Sequence, residues 1–111
     1  MDEIKARIPE DATKVLGIAD CDLYAPEMNF IFGQAEIDGA ACLISLARLK
    51  AEKPLFIRRA IKEATHELGH TFGLRHCDNP SCIMHFSNSI EDTDLKNDFC
   101  EECRKLLEIP K

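Results

Sequence analysis

The 111-residue sequence predicts one small α/β domain, spanning 1–111. Three apolar segments with the length of strands occupy the first half, and a long helical segment begins at Pro54. Residues 74–90 have the composition of a loop, and a highly charged helical stretch is predicted over 92–107. Hydrophobic residues make up 45% of the chain, so a modest core can form.

The three strands are predicted from apolar runs and turn signals. Residues 14–23 form an apolar run that turns acidic, which is typical of a buried strand at its C-terminal end. Residues 29–37 partly alternate, with a possible bulge at Gly33, and residues 40–47 are again apolar. Because an Asp-Gly pair separates the last two segments, we expect them to form a hairpin with an exposed edge.

Composition argues against two classes of partner. The formal net charge of −6 argues against nucleic acid, because a phosphate backbone requires a basic face. No run of 18 apolar residues occurs, so no membrane span is expected. Residues 1–13 lack the apolar segment of a signal peptide, and we expect a short helix or arm there. Six cysteines without a secretion signal favour metal ligands or buried thiols, and a cytoplasmic location.

The long helical segment extends from Leu55 to about Gly73 and carries two histidines. At 100° per residue its apolar side chains form one stripe, made of Ile57, Ile61, Ala64, Leu68 and Phe72. His66 and His70 fall on the opposite face of this helix. We therefore expect the histidines not to be core filler.

An eleven-residue motif over 66–76 carries the chemistry. Histidines at i and i+4, His66 and His70, can both direct a nitrogen at one ion. Glu67 can reach a water bound to that ion, and Gly73 permits the turn that would bring His76 in as third ligand. Three protein ligands leave a fourth position open, as in a catalytic zinc site. The spacing is that of the metzincin zinc motif.

Four cysteines in two close pairs predict a second metal site. They are Cys77, Cys82, Cys100 and Cys103. Two pairs separated by one connecting segment match a closed tetrahedral zinc site, and the alternatives are two disulfides or inert buried thiols. Because Cys77 directly follows His76, removing this ion should loosen a ligand of the first site. Cys21 and Cys42 lie on predicted strands and are expected to be buried apolar residues.

Two residues near the cysteines have alternative interpretations. Met84, two positions after Cys82, is either an apolar floor beneath the histidines or an ordinary core residue. His85 could replace His76 as the third ligand, although it lacks the motif spacing and is more typical of a residue near the cleft or surface.

These features together resemble the archaemetzincins. The resemblance covers about residues 14–107. It is carried by HELGHTFGLRHC at 66–77, CIM at 82–84, FSNS at 86–89 and CEEC at 100–103, with LGIADCDLYAPEMNFIFGQA at 16–35 and LISLARL at 43–49 upstream.

The resemblance implies a compact metzincin-like zincin domain with a mixed twisted sheet, a long active-site helix and a C-terminal helix. It implies two zinc ions per chain, one catalytic and one structural. The catalytic ion would be held by His66, His70 and His76, with Glu67 as the base. The structural ion would be held by Cys77, Cys82, Cys100 and Cys103, and Met84 would be the Met-turn residue. Family members usually carry a further strand and helix before the segment that starts here at Lys14, and the sequence predicts their absence.

The expected function is hydrolysis of peptide bonds in a peptide or protein substrate, by a zinc-bound water with Glu67 as general base. The edge strand around residues 29–36 would pair with an extended peptide. The chain would be a monomer, or a weak dimer through a sheet edge that the short N-terminus exposes. Two alternatives stay open: a non-catalytic, zinc-stabilised binding module, and a zinc hydrolase that acts on a non-peptide amide.

Overall fold

The structure is a computed structural model that describes residues 14–24 and 30–107. Its elements are β1 (Val15–Ala19), β2 (Gly33–Ala35), β3 (Ala41–Ser45), α1 (Lys53–Thr71), α2 (Ile90–Leu95) and α3 (Glu101–Leu107). This confirms the predicted α/β class. The helix or arm expected for residues 1–13 lies outside the described residues.

The sheet is mixed, with strand order β1-β3-β2. β1 runs parallel to β3 and pairs Val15 with Ala41, whereas β2 runs antiparallel to β3. β2 and β3 therefore form the predicted hairpin, with β2 at an edge of the sheet among the described strands. The turn between them contains Asp38, whose φ is 54°, and Gly39, whose N–H donates to the carbonyl of Glu36 at 3.1 Å.

The bulge suggested at Gly33 is not present, and this interpretation was wrong. Three consecutive residues of β2 pair one to one with β3: Gly33 with Ile44, Gln34 with Leu43 and Ala35 with Cys42. A glycine is needed at this position because Glu67 of α1 lies too close to the strand for a larger residue.

Both ends of α1 follow from its sequence. Pro54 lies in the first turn, where its missing N–H costs nothing. Gly73 adopts a φ of +96°, and the N–H of Leu74 donates to the carbonyl of Gly69 at 3.1 Å. A left-handed glycine after the last turn is a common helix stop.

The orientation of α1 differs from the expected one. The helix packs on β2 and β3 through its polar face. The buried residues of the helix are Glu63, His66, Glu67, Gly69, His70 and Thr71. Much of the apolar stripe is exposed instead, with Ile57 at 45%, Ile61 at 59% and Phe72 at 57%. The side chains of Glu63, His66, His70 and Thr71 have hydrogen-bond partners that make this burial tolerable, and a helical wheel cannot reveal these partners.

The charged C-terminal stretch forms two short helices rather than the single helix predicted over 92–107. After α2, Lys96 takes an extended conformation with φ −75° and ψ 146°. The chain then pairs with the segment around Cys82: Asp98 forms a parallel bridge to Cys82 and accepts from the N–H of Ile83 at 3.0 Å. This pairing interrupts the helix because main-chain groups of Asn97 and Asp98 bond to Ser81 and Ile83 instead. It also brings the next cysteines back towards Cys82.

The core has two parts. Under the sheet it contains Phe32, Ala41, Cys42, Ile44 and Leu49, and beneath the loop after α1 it contains Leu74, Cys82, Ile83, Met84 and Cys103. Leu106 on α3 is exposed despite its apolar side chain. Cys42 is buried as predicted, but Cys21 is exposed, because it lies beyond the end of β1. Among the described residues, no helix has the length and apolarity needed to span a membrane.

The orientation of α1 predicts a contrast between two isoleucines. Ile44→Ala removes a side chain that is 1% exposed, so we expect a loss of about 2–5 kcal/mol in the free energy of unfolding. Ile61→Ala removes one that is 59% exposed, so we expect a change of about 0.5 kcal/mol or less. Urea unfolding of the zinc-loaded variants measures both. Equal losses would contradict the exposed position of the stripe.

Candidate metal centre and active site

Three histidines converge on one point. His66 and His70 project from the same face of α1, and their Nε2 atoms lie 3.1 Å apart. With His76 they place one nitrogen each within 4.8 Å of one another. Two nitrogens bound tetrahedrally to zinc at about 2.0–2.1 Å would be about 3.4 Å apart. The spacing of these donors therefore fits a single zinc ion.

Hydrogen bonds to the main chain orient two of the imidazoles. His66 Nδ1 lies 2.6 Å from the carbonyl oxygen of Ile83, and His70 Nδ1 lies 2.7 Å from that of Leu74. A carbonyl can only accept, so each Nδ1 carries the hydrogen and each Nε2 keeps its lone pair. Burial lowers the pKa of His66 to about 3, which leaves the neutral form that binds a metal.

His76 approaches from the loop that follows α1. The N–H of Gly73 donates to the carbonyl of His70 at 2.9 Å, and the left-handed glycine reverses the chain. The His76 ring then lies 5.5 Å from that of His66 and 5.0 Å from that of His70, measured between centroids. His85 does not join this group: its Nδ1 lies 2.7 Å from the carbonyl oxygen of Cys77.

Met84 packs against α1 at Gly69. Its side chain is fully buried, and a Cβ added at Gly69 would come within 2.5 Å of its sulfur. Gly69 stands between His66 and His70 in sequence, so the glycine allows the methionine to pack directly against this part of α1. The loop is held there by a hydrogen bond from the N–H of Cys77 to the carbonyl of Met84 at 2.9 Å.

Glu67 is pressed against the edge strand. A Cβ added at Gly33 would lie 2.8 Å from both Cγ and Oε2 of Glu67, and 2.8 Å from the carbonyl oxygen of Leu43. Glycine at position 33 thus permits the close approach of strand and helix. Burial, with a smaller contribution from the carboxylate of Glu63, raises the pKa of Glu67 to about 8.

A cavity of about 240 Å³ connects these groups. One wall is the strand segment 30–35, and the opposite wall is the polar face of α1 with the three histidines and Glu67. Phe86, Ser87 and Lys96 complete the lining. The edge of the sheet and the histidine group therefore face the same space.

Two buried charged residues of this cavity were missed in the sequence. Glu63 precedes Glu67 by four positions, so its helical spacing could have placed it on the same face. Lys96 gave no comparable signal, because it lies among acidic residues in a stretch that predicts an exposed helix.

The four cysteines also converge. The sulfurs of Cys77 and Cys100 lie 3.7 Å apart, as do those of Cys82 and Cys103, and all four lie within 4.8 Å of one another. Tetrahedral zinc with bonds of about 2.3 Å places sulfurs about 3.8 Å apart, whereas a disulfide requires about 2.05 Å. The cysteines are free thiols, and their spacing fits a metal site rather than two disulfides.

Main-chain donors surround one of these sulfurs. Cys82 Sγ accepts from the N–H of Met84 at 3.4 Å and from the N–H of Cys100 at 3.3 Å. These bonds fix the position of the sulfur relative to the main chain. The loop from 77 to 84 is thereby fixed to the segment that begins α3.

Comparison with known proteins agrees with this geometry. The model of peptidase family M54 matches residues 1–109. The chain belongs to peptidase family M54. The archaemetzincin of Methanopyrus kandleri is 50% identical over 97 residues, which cover 86% of this chain and 55% of the relative. The chain thus spans little more than half the length of that curated relative.

Solved structures agree with the fold. The crystal structure of the M. kandleri archaemetzincin matches with a TM-score of 0.91 and 45% identity, over 96% of this chain and 60% of that one. The archaemetzincin of Archaeoglobus fulgidus matches with a TM-score of 0.83 and 44% identity, over 91% and 64%. A zinc-dependent peptidase of Methanocorpusculum labreanum matches with a TM-score of 0.80 and 39% identity, over 85% and 53%. The resemblance to archaemetzincins is confirmed.

The contact between Gly69 and Met84 predicts that Met84→Ala reduces the stability loss caused by Gly69→Ala. Gly69→Ala gains helix propensity of about 1 kcal/mol, but the added methyl group overlaps the Met84 sulfur, at a cost of about 1–3 kcal/mol. We expect Gly69→Ala to lower the free energy of unfolding. The double variant Gly69→Ala/Met84→Ala should lose less unfolding free energy than the two single variants lose together. The reason is that alanine at position 84 leaves room for the methyl group at position 69. Strict additivity in urea unfolding would contradict the contact.

Proposed function

We propose that this chain is a zinc metallopeptidase that hydrolyses peptide bonds with Glu67 as general base. The observation that carries the proposal is one cavity that contains three convergent imidazole nitrogens and a buried carboxylate. Membership of a peptidase family supports it, as does the likeness to a protein named a zinc-dependent peptidase.

Each residue of the cavity has a role in this proposal. His66, His70 and His76 would hold the zinc ion, which supplies a Lewis acid and lowers the pKa of water. Glu67 would accept the proton of the attacking water and return it to the amine that leaves. A buried carboxylate suits this exchange because burial raises its pKa towards neutrality.

The substrate would bind along β2. Within the described residues β2 is an edge strand, so its outer main-chain groups can pair with an extended peptide. The segment 30–35 lies in the cavity wall opposite the histidines. A peptide added there would pass in front of Glu67, where its scissile bond could be attacked.

We propose that the four cysteines hold a second, structural zinc ion. Cys77 follows His76 directly, so the two sites share one loop. The loop is also tied by His85, which bonds the carbonyl of Cys77. Thiolate ligands require reducing conditions, in keeping with a cytoplasmic location, which stays a prediction. A monomer or weak dimer also stays a prediction.

Elemental analysis tests the two-ion proposal. We expect two zinc ions per chain in the wild type, and one in His66→Ala/His70→Ala. We expect one at most in Cys100→Ser/Cys103→Ser, together with weaker binding at the histidines, because the loop that carries His76 loses its anchor. A wild-type content of one ion or none would contradict the proposal, as would full histidine-site affinity in the cysteine variant.

Substitution of Glu67 tests the mechanism. Glu67→Gln keeps the shape but cannot accept a proton, so turnover should fall by at least about 10²-fold while the zinc content is unchanged. Digestion of a peptide library by zinc-loaded proteins, followed by mass spectrometry, measures this. Glu102→Gln, on the exposed side of α3, is the matched control and should cleave like the wild type.

Three outcomes would contradict this function. Full activity in Glu67→Gln would exclude the general-base role. A zinc-loaded wild type that cleaves no peptide would favour the non-catalytic binding module. Cleavage of small non-peptide amides, without cleavage of any peptide, would favour a zinc hydrolase that acts on non-peptide amides.

A further inference from the structure

Lys96 is a buried lysine in the wall of the catalytic cavity. It is 1% exposed and lines the same space as Glu67 and the three histidines. Its main-chain N–H donates to the carbonyl of Thr93 at 3.1 Å. Within residues 14–24 and 30–107, no hydrogen bond from its ammonium group is found, and no carboxylate oxygen lies within 4.0 Å of its nitrogen.

A lysine in this position is costly unless its charge has a partner. An ammonium group taken out of water loses hydration worth several kcal/mol. The position is imposed by the main chain on both sides, because the N–H of Asn97 also donates to the carbonyl of Ser81 at 2.9 Å. The fold therefore holds the ammonium group in the cavity rather than letting it reach the surface.

The neighbouring polar groups already have partners. Glu63 Oε1 accepts from the hydroxyl of Thr93 at 2.9 Å, and the same hydroxyl oxygen lies 3.0 Å from Ser87 Oγ. These three side chains form one linked group beside Lys96. The ammonium group of Lys96 adds three N–H donors beside this linked group.

The charge balance favours an anion here. Glu63 and Glu67 both attract the ammonium group, but among the described residues neither carboxylate lies within 4.0 Å of its nitrogen. A zinc ion held by the three imidazoles would add positive charge to that of the ammonium group. A buried ammonium group binds a charged acceptor more strongly than a neutral one.

We propose that Lys96 binds a carboxylate of the substrate, so that this chain selects peptides with an acidic group next to the bond at the histidines. The inference rests on the proposed peptidase function. The carboxylate has two possible sources, an Asp or Glu side chain and the free C-terminus of a peptide. Lys96 would then determine specificity without taking part in proton transfer.

Binding measurements separate this role from catalysis. Zinc-loaded Glu67→Gln binds peptides without cleaving them, and calorimetry compares pairs that differ in one group. The peptides of one pair differ by Glu or Gln at the position beside the bond that the library digest shows to be cut. If no bond is cut, the Glu/Gln exchange is made at each position of the peptide in turn. The other pair has a free or an amidated C-terminus. We expect the carboxylate member of one pair to bind at least about tenfold more tightly.

Two lysine variants locate the effect. In the same background, Lys96→Met should bind the members of each pair equally and should keep its affinity for the neutral peptide. Lys62→Met is the matched control, because Lys62 lies on α1 and bonds the carbonyl of Asp94 at 3.2 Å, outside the cavity lining. It should keep the full preference. The comparison between paired peptides with Lys96 intact needs no Lys96 variant to fold.

Each outcome decides one of the two proposals. Equal binding within both pairs overturns the role of Lys96, even if Glu67-dependent cleavage is found and the peptidase function stands. A Lys96-dependent preference without cleavage supports the role of Lys96 and overturns the peptidase function. Loss of affinity for neutral and acidic peptides alike in Lys96→Met overturns carboxylate selection, because the lysine then binds a part common to all peptides. Absence of binding and of cleavage overturns both.

Discussion

Two hydrogen bonds orient the imidazoles of α1, from His66 Nδ1 to the carbonyl of Ile83 and from His70 Nδ1 to that of Leu74. They allow a helix to bury its polar face, because the buried nitrogens gain acceptors in place of water. Among the described residues, no side-chain nitrogen or oxygen atom that is wholly shielded from solvent lacks a hydrogen-bond partner. The position of the loop after α1 follows from this requirement. Its carbonyls must lie beside the histidines, and Gly69 lets Met84 pack against α1.

The cysteines give the same loop its anchor. Their four sulfurs join residues 77 and 82 to the start of α3, and Ile83, which orients His66, directly follows Cys82. A metal bound by the cysteines would therefore stabilise the acceptor of one histidine and the backbone next to His76. In so small a domain, a bound metal also offsets the limited apolar area that the chain can bury. The geometry of the histidine cluster and that of the cysteine cluster therefore depend on the same loop.

The sequence predicted the local features because each depends on few residues. Pro54 and Gly73 mark the ends of α1, an Asp-Gly pair marks the hairpin, and the spacing of histidines and cysteines marks both clusters. The helical wheel did not reveal that the polar face of α1 is the buried one, because the acceptors for this face lie further along the chain. The break after α2 and the burial of Lys96 depend on pairing between residues 81–83 and 97–98, which local propensity does not encode.

The cavity brings together the groups that would bind a peptide in the proposed function. The glycine at position 33 brings an edge strand against Glu67, and Lys96 lies at the same space with its ammonium donors available among the described residues. Main-chain pairing with β2 would bind peptides of any sequence, and the ammonium group of Lys96 would select those with a carboxylate.

The central claim is that two metal ions occupy two clusters joined by adjacent residues, His76 and Cys77. X-ray diffraction from crystals of the zinc-loaded chain, recorded on both sides of the zinc absorption edge, tests it most directly. The account predicts two anomalous peaks, one among His66, His70 and His76 and one among the four cysteine sulfurs. A single peak, a peak ligated by His85, or disulfides in place of the second ion would contradict it.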